Sequence, residues 1–433
     1  VKKINLLILA LVLLFAIFVG LMEPGKYGPF VMPLLIVYLC VTAFRRIFFT
    51  YGALVPVKQP EKVEGIPVLP SVFKKSFPKV SIIVPCYNEE KVIKNTIENL
   101  CLQNYPEIEI IVVDDGSSDG TFQTATDYVK SQNLYHMVKV LAQKNAGKGA
   151  ALNLGIKHSK GDFIMCVDAD SKIDPLSIRS SIHHFEDLSV GAVAGFVEIA
   201  NKNSLLTKFQ QYEYMVGLNF TRKALAMFGI VPVIPGPIGI FRRDVLEKVG
   251  MFVTDKNLMA EDAELSLRIV SAGYKVKSEP NMIAYTEAPE DLRSLSRQRY
   301  RWNRGVIQAL DLNLKAMIKS NNRSRILAAN LIFDIHIVLL ANIFMALSFS
   351  VHAFVYGNLQ LLDIWFVGLL ISEALVTGLV LWGKRNKIEY FGIAMLSLFT
   401  YNSALMFWRM FSAVDEFLSI GMTWDKLERK GIK

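Results

Sequence analysis

Apolar residues fall into three patterns along this chain. Residues 6–22 are apolar apart from Gly20, and 29–44 form a second apolar run closed by Arg45 and Arg46. About 20 apolar residues are enough for one helical crossing of a bilayer. Two such runs joined by Glu23, Pro24 and Gly25 predict a transmembrane hairpin over 1–50. The basic start and apolar core also suit a signal peptide, but no small-residue cleavage site follows. The middle of the chain alternates short β-branched runs with helical periodicity. Strands are predicted at 80–85, 108–113, 138–141 and 163–167, and helices at 90–102, 121–130 and 149–156. That alternation predicts βαβ units and a mostly parallel, Rossmann-like α/β sheet, assigned to 79–305. Three further apolar stretches, about 328–355, 361–382 and 390–411, predict membrane helices over 328–412.

The connecting segments have their own character. Residues 51–78 carry Pro56, Pro60, Pro67, Pro70 and Pro78 among lysines, which suits an extended tether. Residues 306–327 start amphipathic and turn basic, as an interfacial helix would. Residues 413–433 form a basic tail whose Trp424, Lys426 and Arg429 suit either a cap on the middle domain or a headgroup-binding helix.

Charge gives these pieces an orientation. Lys2, Lys3, Arg45 and Arg46 lie on one side of the hairpin and only Lys26 on the other. The positive-inside rule then places the middle domain in the cytoplasm of a multi-pass plasma-membrane protein. Lys384, Arg385 and Lys387 mark a second cytoplasmic turn. Three C-terminal crossings would put the tail, with Lys426, Arg429, Lys430 and Lys433, outside, against the same rule. Either one segment is re-entrant or interfacial, or a long one holds more than a single crossing.

Composition adds exclusions. A hydrophobic fraction of 52% beside 20% charged residues, with a mean hydropathy of +0.33, fits segregated membrane and soluble parts. The net charge of +9 suits anionic lipid or phosphate, and no nucleic-acid motif accompanies it. Cys40, Cys86, Cys101 and Cys166 lack paired or metal-like spacing and read as small apolar side chains. His183 and His184 are adjacent, with no partner ligand at zinc-type spacing.

Two acidic groups stand at strand ends. The strand at 108–113 runs into Asp114, Asp115, Gly116, Ser117, Ser118 and Asp119; the strand at 163–167 runs into Asp168, Ala169 and Asp170. In doubly wound sheets ligands bind beyond the carboxyl ends of strands. Asp-Gly turns and Asp-x-Asp loops are common on surfaces. Together on one sheet edge they point to a divalent metal with an anionic ligand, because Mg²⁺ or Mn²⁺ takes one or two carboxylates and leaves its other positions to substrate phosphates.

The runs VSIIVPCYNEE, IVVDDGSSDGT, NAGKGAALN, CVDADS, GIFRRDVLEKVG, MAEDAELSLRI and RQRYRW occur in that order, with 35 residues between Asp262 and Gln298. Over 78–305 the chain resembles the inverting family-two glycosyltransferases of the GT-A fold. Gln298, Arg301 and Trp302 match the Q-x-x-R-W box of the processive β-glycan synthases, which make chitin, cellulose, hyaluronan and poly-N-acetylglucosamine. The resemblance implies a cytoplasmic GT-A domain flanked by transmembrane helices, a UDP-sugar donor, Mg²⁺ or Mn²⁺, and a growing glycan as acceptor. It also implies export of the product through the membrane helices and a small accessory membrane subunit. UDP-N-acetylglucosamine is the leading donor; a glycolipid synthase transferring a single sugar to a lipid is the alternative. A non-catalytic receptor or transporter is disfavoured by the intact acidic positions.

By the same resemblance Tyr87, Asn88, Glu89, Asp114 and Asp115 surround the uridine, with Asp115 meeting the base. Asp168 and Asp170 bind nucleotide and metal, Asp170 being the ligand, and Lys148 neutralises the diphosphate unless it is only an exposed helix-start lysine. Asp262, with Glu261 beside it, is the general base, although an acidic helix start would read the same way. Gln298 and Arg301, three residues apart, can share a helical face; Arg301 suits phosphate and Trp302 a sugar ring. Arg297, Arg299 and Arg304 are expected at solvent or lipid headgroups. The segment from Ile234 to Gly239 carries Pro235 and Pro237 where relatives often have small residues, which leaves sugar and acceptor open. Gln210, Glu213 and Tyr214 suit a donor-site wall or a structural helix. Glu373, inside an apolar run, either pairs with a neighbouring helix or lines a channel; Asp334 and His336 are weaker signals of the same kind.

Overall fold

The computed structural model describes residues 2–55, 62–63, 66–67, 77–381, 389–418 and 420–421. Lys384, Arg385 and Lys387, the tail residues Trp424, Lys426, Arg429, Lys430 and Lys433, and most of the proline-rich tether lie outside the described residues. The chain divides into two compact units, one of them Val1–Val55, Ser296–Ile307 and Ala329–Trp424, the other Pro56–Leu295, Gln308–Ala328 and Asp425–Lys433.

The second unit is built on a sheet. Its strands in chain order are β1 (Lys62–Val63), β2 (Ile66–Pro67), β3 (Val80–Cys86), β4 (Ile108–Asp114), β5 (Val138–Ala142), β6 (Phe163–Cys166), β7 (Lys172–Ile173), β8 (Val190–Ile199), β9 (Gly239–Arg242) and β10 (Lys275–Thr286). β1 and β2 pair only with each other, and the remaining eight form one sheet in the order β5-β4-β3-β6-β9-β8-β10-β7. β3, β4, β5 and β6 pair in parallel, as do β8 and β10. β9 runs antiparallel between β6 and β8, and β7 antiparallel to β10. The sheet is therefore mixed, of GT-A type, with six of its eight strands in one direction.

The sequence explains the central strands. Ile82, Ile83, Ile110, Ile111, Val112 and Val113 are all buried, a near-continuous apolar run that suits strands covered on both faces. Burying each such side chain contributes about 1.5–3 kcal/mol. The helix Lys148–His158 packs on β3 and β4. Gly155 permits its approach, since a Cβ there would lie 2.4 Å from Ile83 Cγ2.

One side of β8 beyond Ala194 has no strand partner, and a helix satisfies it instead. Ile199 N donates to Gln211 Oε1 (2.9 Å), Asn219 pairs with both Val197 N and O, and Arg222 donates to Gly195 O (3.2 Å). A π-helical stretch, Glu213–Phe220, lies within this helical segment. Gln210 is buried, with its Nε2 on Pro289 O at 2.8 Å, which favours the structural reading of that element.

The other unit is helical. Pro24–Leu54, Asn322–Tyr356 and Gln360–Leu381 are each long and apolar enough to cross a membrane. Glu389–Phe399 and Tyr401–Leu418 form a pair bent by 46°, a broken span or a re-entrant segment. The apolar helix Lys2–Gly20 lies against Leu339–Tyr356. Gly20 leaves room for that contact, because a Cβ there would be 2.8 Å from Ser348 O. Val19, Tyr27, Val31, Leu35, Met345, Phe349, Leu361 and Trp365 form its core. Phe18, Val37 and Phe354 are among the large apolar side chains left outside, as expected of surfaces that face lipid.

Several ionic groups in this unit are paired. Arg46 bonds Glu373, which is 3% exposed, and Arg45 bonds Asp334. Glu373 thus takes the helix-pairing reading. Arg299 and Arg304 correct an expectation: both are buried rather than at solvent or headgroups. Arg304 binds Glu416 (2.9 Å) and Ile420 O (2.7 Å), while Arg299 reaches Gln298 and the Tyr401 hydroxyl. Gln298 is adjacent to Arg299, but Tyr401, Glu416 and Ile420 lie about a hundred residues downstream, beyond the reach of any local pattern.

Candidate active site

The β4 turn is fixed by its own side chains. Asp114, at the end of β4, accepts from Ser117 N and Oγ. Asp115 accepts from Gln143 Nε2 (2.7 Å), Ala146 N and Gly147 N (2.8 Å each), which ties this turn to the glycine-rich turn before Lys148. The approach demands glycine at 116: its φ is +75°, and a Cβ would fall 2.6 Å from Asn145 N. Both aspartates are buried. On the neighbouring β3 loop, Asn88 (φ +55°) accepts from Ser118 N and donates its own N–H to Ser117 Oγ. Glu89 N donates to Thr121 Oγ1 at 2.7 Å. Tyr87, Asn88 and Glu89 are half-buried on this edge, so the structure gathers them with Asp114 and Asp115.

Beside this floor lies a cluster of unlike charges. Lys148 Nζ is 2.7 Å from Asp168 Oδ1 and 3.3 Å from Glu261 Oε1. Burial works against the Lys148 ammonium, but Asp168, Glu261 and Asp262 outweigh it and hold its pKa above the usual lysine value. Lys148 is therefore an ion-paired, partly covered helix-start lysine rather than a solvated one. Glu261 and Asp262 begin the helix Glu261–Ser271, where the exposed N–H groups and the helix dipole favour negative charge. Asp262 Oδ1 accepts from Ala263 N (2.8 Å) and Oδ2 from Gly236 N (3.3 Å). Burial, and then the like charge of Glu261, push its pKa up to about 6. Such a carboxylate is ionised at neutral pH yet basic enough to take a proton.

Two residues gain a place here that the sequence did not give them, Gly236 within the proline-bearing segment and Arg222. Gly236 lies against Lys148, Asp168 and Asp262: a Cβ would sit 2.7 Å from Lys148 Nζ and 3.6 Å from Asp168 Oδ2, and its N–H donates to Asp262 Oδ2. The prolines around it drew notice in the sequence, whereas the space it leaves depends on residues far away in the chain. Arg222 is buried against neutral acceptors, Gly195 O, Val233 O and Asn219 Oδ1. Burial lowers its pKa to about 10, and Asp262 and Tyr214 are the charges that act on it. Nothing in its local sequence distinguishes it from a surface arginine.

Asp168 and Asp170 leave β6 as half-buried carboxylates, and Asp170 accepts from Ser171 Oγ. Two hard oxygen donors, one already holding a cationic group, fit a Mg²⁺ or Mn²⁺ ion that takes its remaining ligands from a substrate diphosphate. Cys166 beside them is buried, and that burial pushes its thiol up to about 12. Gln298, Arg301 and Trp302 lie on the helix Leu292–Lys319 in the helical unit. Gln298 is buried and bonded to Arg299, whose guanidinium lies 4.2 Å from the Trp302 ring centroid; Arg301 and Trp302 are half-buried.

Comparisons with known proteins bear on the family and fold of this domain. Residues 81–250 match the family model for glycosyl transferase family 2. The poly-beta-1,6-N-acetyl-D-glucosamine synthase of Staphylococcus aureus is 34% identical over 232 residues, 53% of this chain and 55% of that protein. The synthase of the same name from Staphylococcus epidermidis is 32% identical over 57% of this chain and 58% of its own. The chain thus spans little more than half the length of the curated relatives it matches. Among solved structures, a mannosyltransferase from Pyrobaculum calidifontis in complex with GDP-Man and Mn²⁺ superposes with a TM-score of 0.65. That match covers 90% of this chain and 99% of the other at 21% identity, a likeness of fold.

Proposed function

With a glycosyl transferase family 2 domain of GT-A fold as the premise, we propose that this chain polymerises a UDP-sugar into a β-linked glycan at the membrane. UDP-N-acetylglucosamine is the proposed donor, in keeping with the names of the relatives that match half its length. The observation that carries the reading is the cluster of Asp262, Lys148 and Asp168, which combines a proton acceptor of raised pKa with a cation and a carboxylate suited to a diphosphate.

In this mechanism Asp262 takes the proton of the acceptor hydroxyl as that oxygen attacks the anomeric carbon. The bond from that carbon to the diphosphate breaks on the opposite face, so configuration inverts. Lys148 faces the growing negative charge of the leaving diphosphate, where a fixed cation lowers the barrier. Asp168 and Asp170 are the proposed holders of Mg²⁺ or Mn²⁺, which when bound supplies further charge neutralisation. Asp115 and the β3 loop hold the nucleoside. Gln298, Arg301 and Trp302 are proposed for the diphosphate and the acceptor sugar. The helical unit anchors the domain to the bilayer, with the catalytic face in the cytoplasm, and passes the product outward.

Full-length protein in detergent, supplied with each UDP-sugar and Mg²⁺ or Mn²⁺, should release UDP and build long chains from UDP-N-acetylglucosamine. A single-sugar product extracted into organic solvent would replace this reading by that of a glycolipid synthase.

A further inference from the structure

A second group of ligand-type side chains stands apart from the carboxylate cluster and takes no residue from it. On β10 the register against β8 shifts between Ser278 and Ile283: these residues face Ala194 and Phe196, so residues 279–282 bulge out opposite the single residue Gly195. The bulge fits because position 195 is glycine, where a Cβ would lie 2.6 Å from Met282 O. Bulges redirect side chains, and this one directs Glu279 inward, where its side chain is 0% exposed.

Glu279 meets a 3₁₀ turn, Ile182–Glu186, that carries the adjacent histidines. His184 Nε2 is 3.0 Å from Glu279 Oε2, and the His184 side chain is 10% exposed. The other carboxylate oxygen is fixed by Asn281 N (2.9 Å) and Asn281 Nδ2 (2.8 Å). The His183 ring lies against that of His184, centroids 4.1 Å apart at 34°, and both its nitrogens are shielded from solvent. One ligand atom from each of His183, His184 and Glu279 lies within 4.8 Å of the other two.

We propose that His183, His184 and Glu279 form a binding site for a divalent transition metal of the zinc class, clasping the turn after the helix Ser177–Ser181 to the bulge of β10. Zinc bonds of about 2.0–2.1 Å place tetrahedral ligand atoms roughly 3.3 Å apart. The His184–Glu279 pair, at 3.0 Å, is already close to that separation, and the His183 ligand atom, within 4.8 Å of both, draws inward on binding. A water completes the tetrahedron. Two imidazoles and one carboxylate favour zinc over Mg²⁺, which prefers all-oxygen sites such as Asp168 and Asp170. The hydrogen bonds on the second oxygen of Glu279 provide the outer support that metal-binding carboxylates commonly have. Binding displaces the proton shared by His184 and Glu279 and leaves the sugar-transfer chemistry untouched.

The test uses the full chain, without a histidine tag, stripped by chelator in detergent. Zn²⁺ should bind at one equivalent, and Co²⁺ in its place should give a visible d–d band. At a hundredfold excess over Kd, Zn²⁺ should raise Tm by roughly 5–10 °C. His183→Ala and His184→Ala should each weaken Zn²⁺ binding by at least about tenfold. Glu279→Gln risks misfolding because its carboxyl is buried, so His183→Ala decides. Zinc uptake and a Tm rise unchanged in His183→Ala would overturn the site, whatever shift Mn²⁺ gives through Asp168 and Asp170. Loss of polymerase activity bears on the proposed function and leaves this outcome unaffected.

Discussion

The sheet unit and the helical unit hold their charged groups differently at the places that matter most. In the helical unit Arg46 meets Glu373, Arg45 meets Asp334 and Arg304 meets Glu416, one carboxylate to each guanidinium, while Arg299 is held by neutral Gln298 and Tyr401. In the sheet unit Lys148 is shared between two carboxylates, Asp262 has a like-charged neighbour, and Arg222 is surrounded by neutral acceptors. Pairing removes the cost of burial and leaves the group inert. Incomplete pairing leaves a carboxylate with a raised pKa and a cation ready for a new anion, which is how reactive sites are poised. In the mechanism proposed here, the one-to-one pairs serve architecture and the charge shared by Lys148, Asp168 and Glu261 serves chemistry.

Replacing the base should break this contrast most severely. Asp262→Asn is expected to lower turnover by about 10²–10⁴-fold, while UDP binding measured by calorimetry stays near that of the parent; normal turnover would remove Asp262 from its role. Next comes the paired unit. Glu373→Ala strands Arg46 and should cost about 3–5 kcal/mol of stability, read as a fall in Tm in detergent. Joint replacement of Arg46 and Glu373 by apolar residues should recover most of that loss. If the single change is harmless, the pair is not structural.

Gly236→Ala probes how tightly the shared cluster is packed. Its Cβ must displace the Lys148 ammonium, so kcat is expected to fall by about 10²-fold, with circular dichroism unchanged. The pH profile should show a smaller effect. Asp262 acts as a base only when deprotonated, and its pKa is raised to about 6. kcat/KM should therefore rise with pH through about 6 and level off above it, losing about tenfold per unit below. A profile flat down to pH 5 would contradict the shift. The smallest effect belongs to an exposed pair: Lys202→Ala, next to Glu198 on the surface, should change stability by less than about 1 kcal/mol.

Much of the sheet unit was legible because its signals are local. A β-branched run of five to seven residues has few ways to be satisfied other than as a buried strand, and β3, β4, β5 and β6 begin where the pattern begins. Polar turns such as the one from Asp114 to Ser118 must follow such strands, so the ligand edge could be located from spacing. The later strands were less visible. β9 is only four residues long and inserts antiparallel between β6 and β8. The bulge that buries Glu279 left no periodic trace, which is why His183 and His184 seemed to lack a ligand partner in the sequence.

The sequence by itself determined the family of the sheet domain, the strand ends that carry Asp115 and Asp168, and the division of the chain into apolar and mixed segments. These follow from short-range periodicity and from motifs whose residues are neighbours in the chain. Tertiary structure alone decided that Lys148 lies against Asp168 and Glu261, that a Cβ at position 236 would meet the Lys148 ammonium, that Glu279 faces two histidines, and that Arg299 and Arg304 are buried. Each of these is an interaction across tens to more than a hundred residues. Its strength depends on distance and on exclusion of water, which residue spacing does not encode and which are set only when the chain has packed.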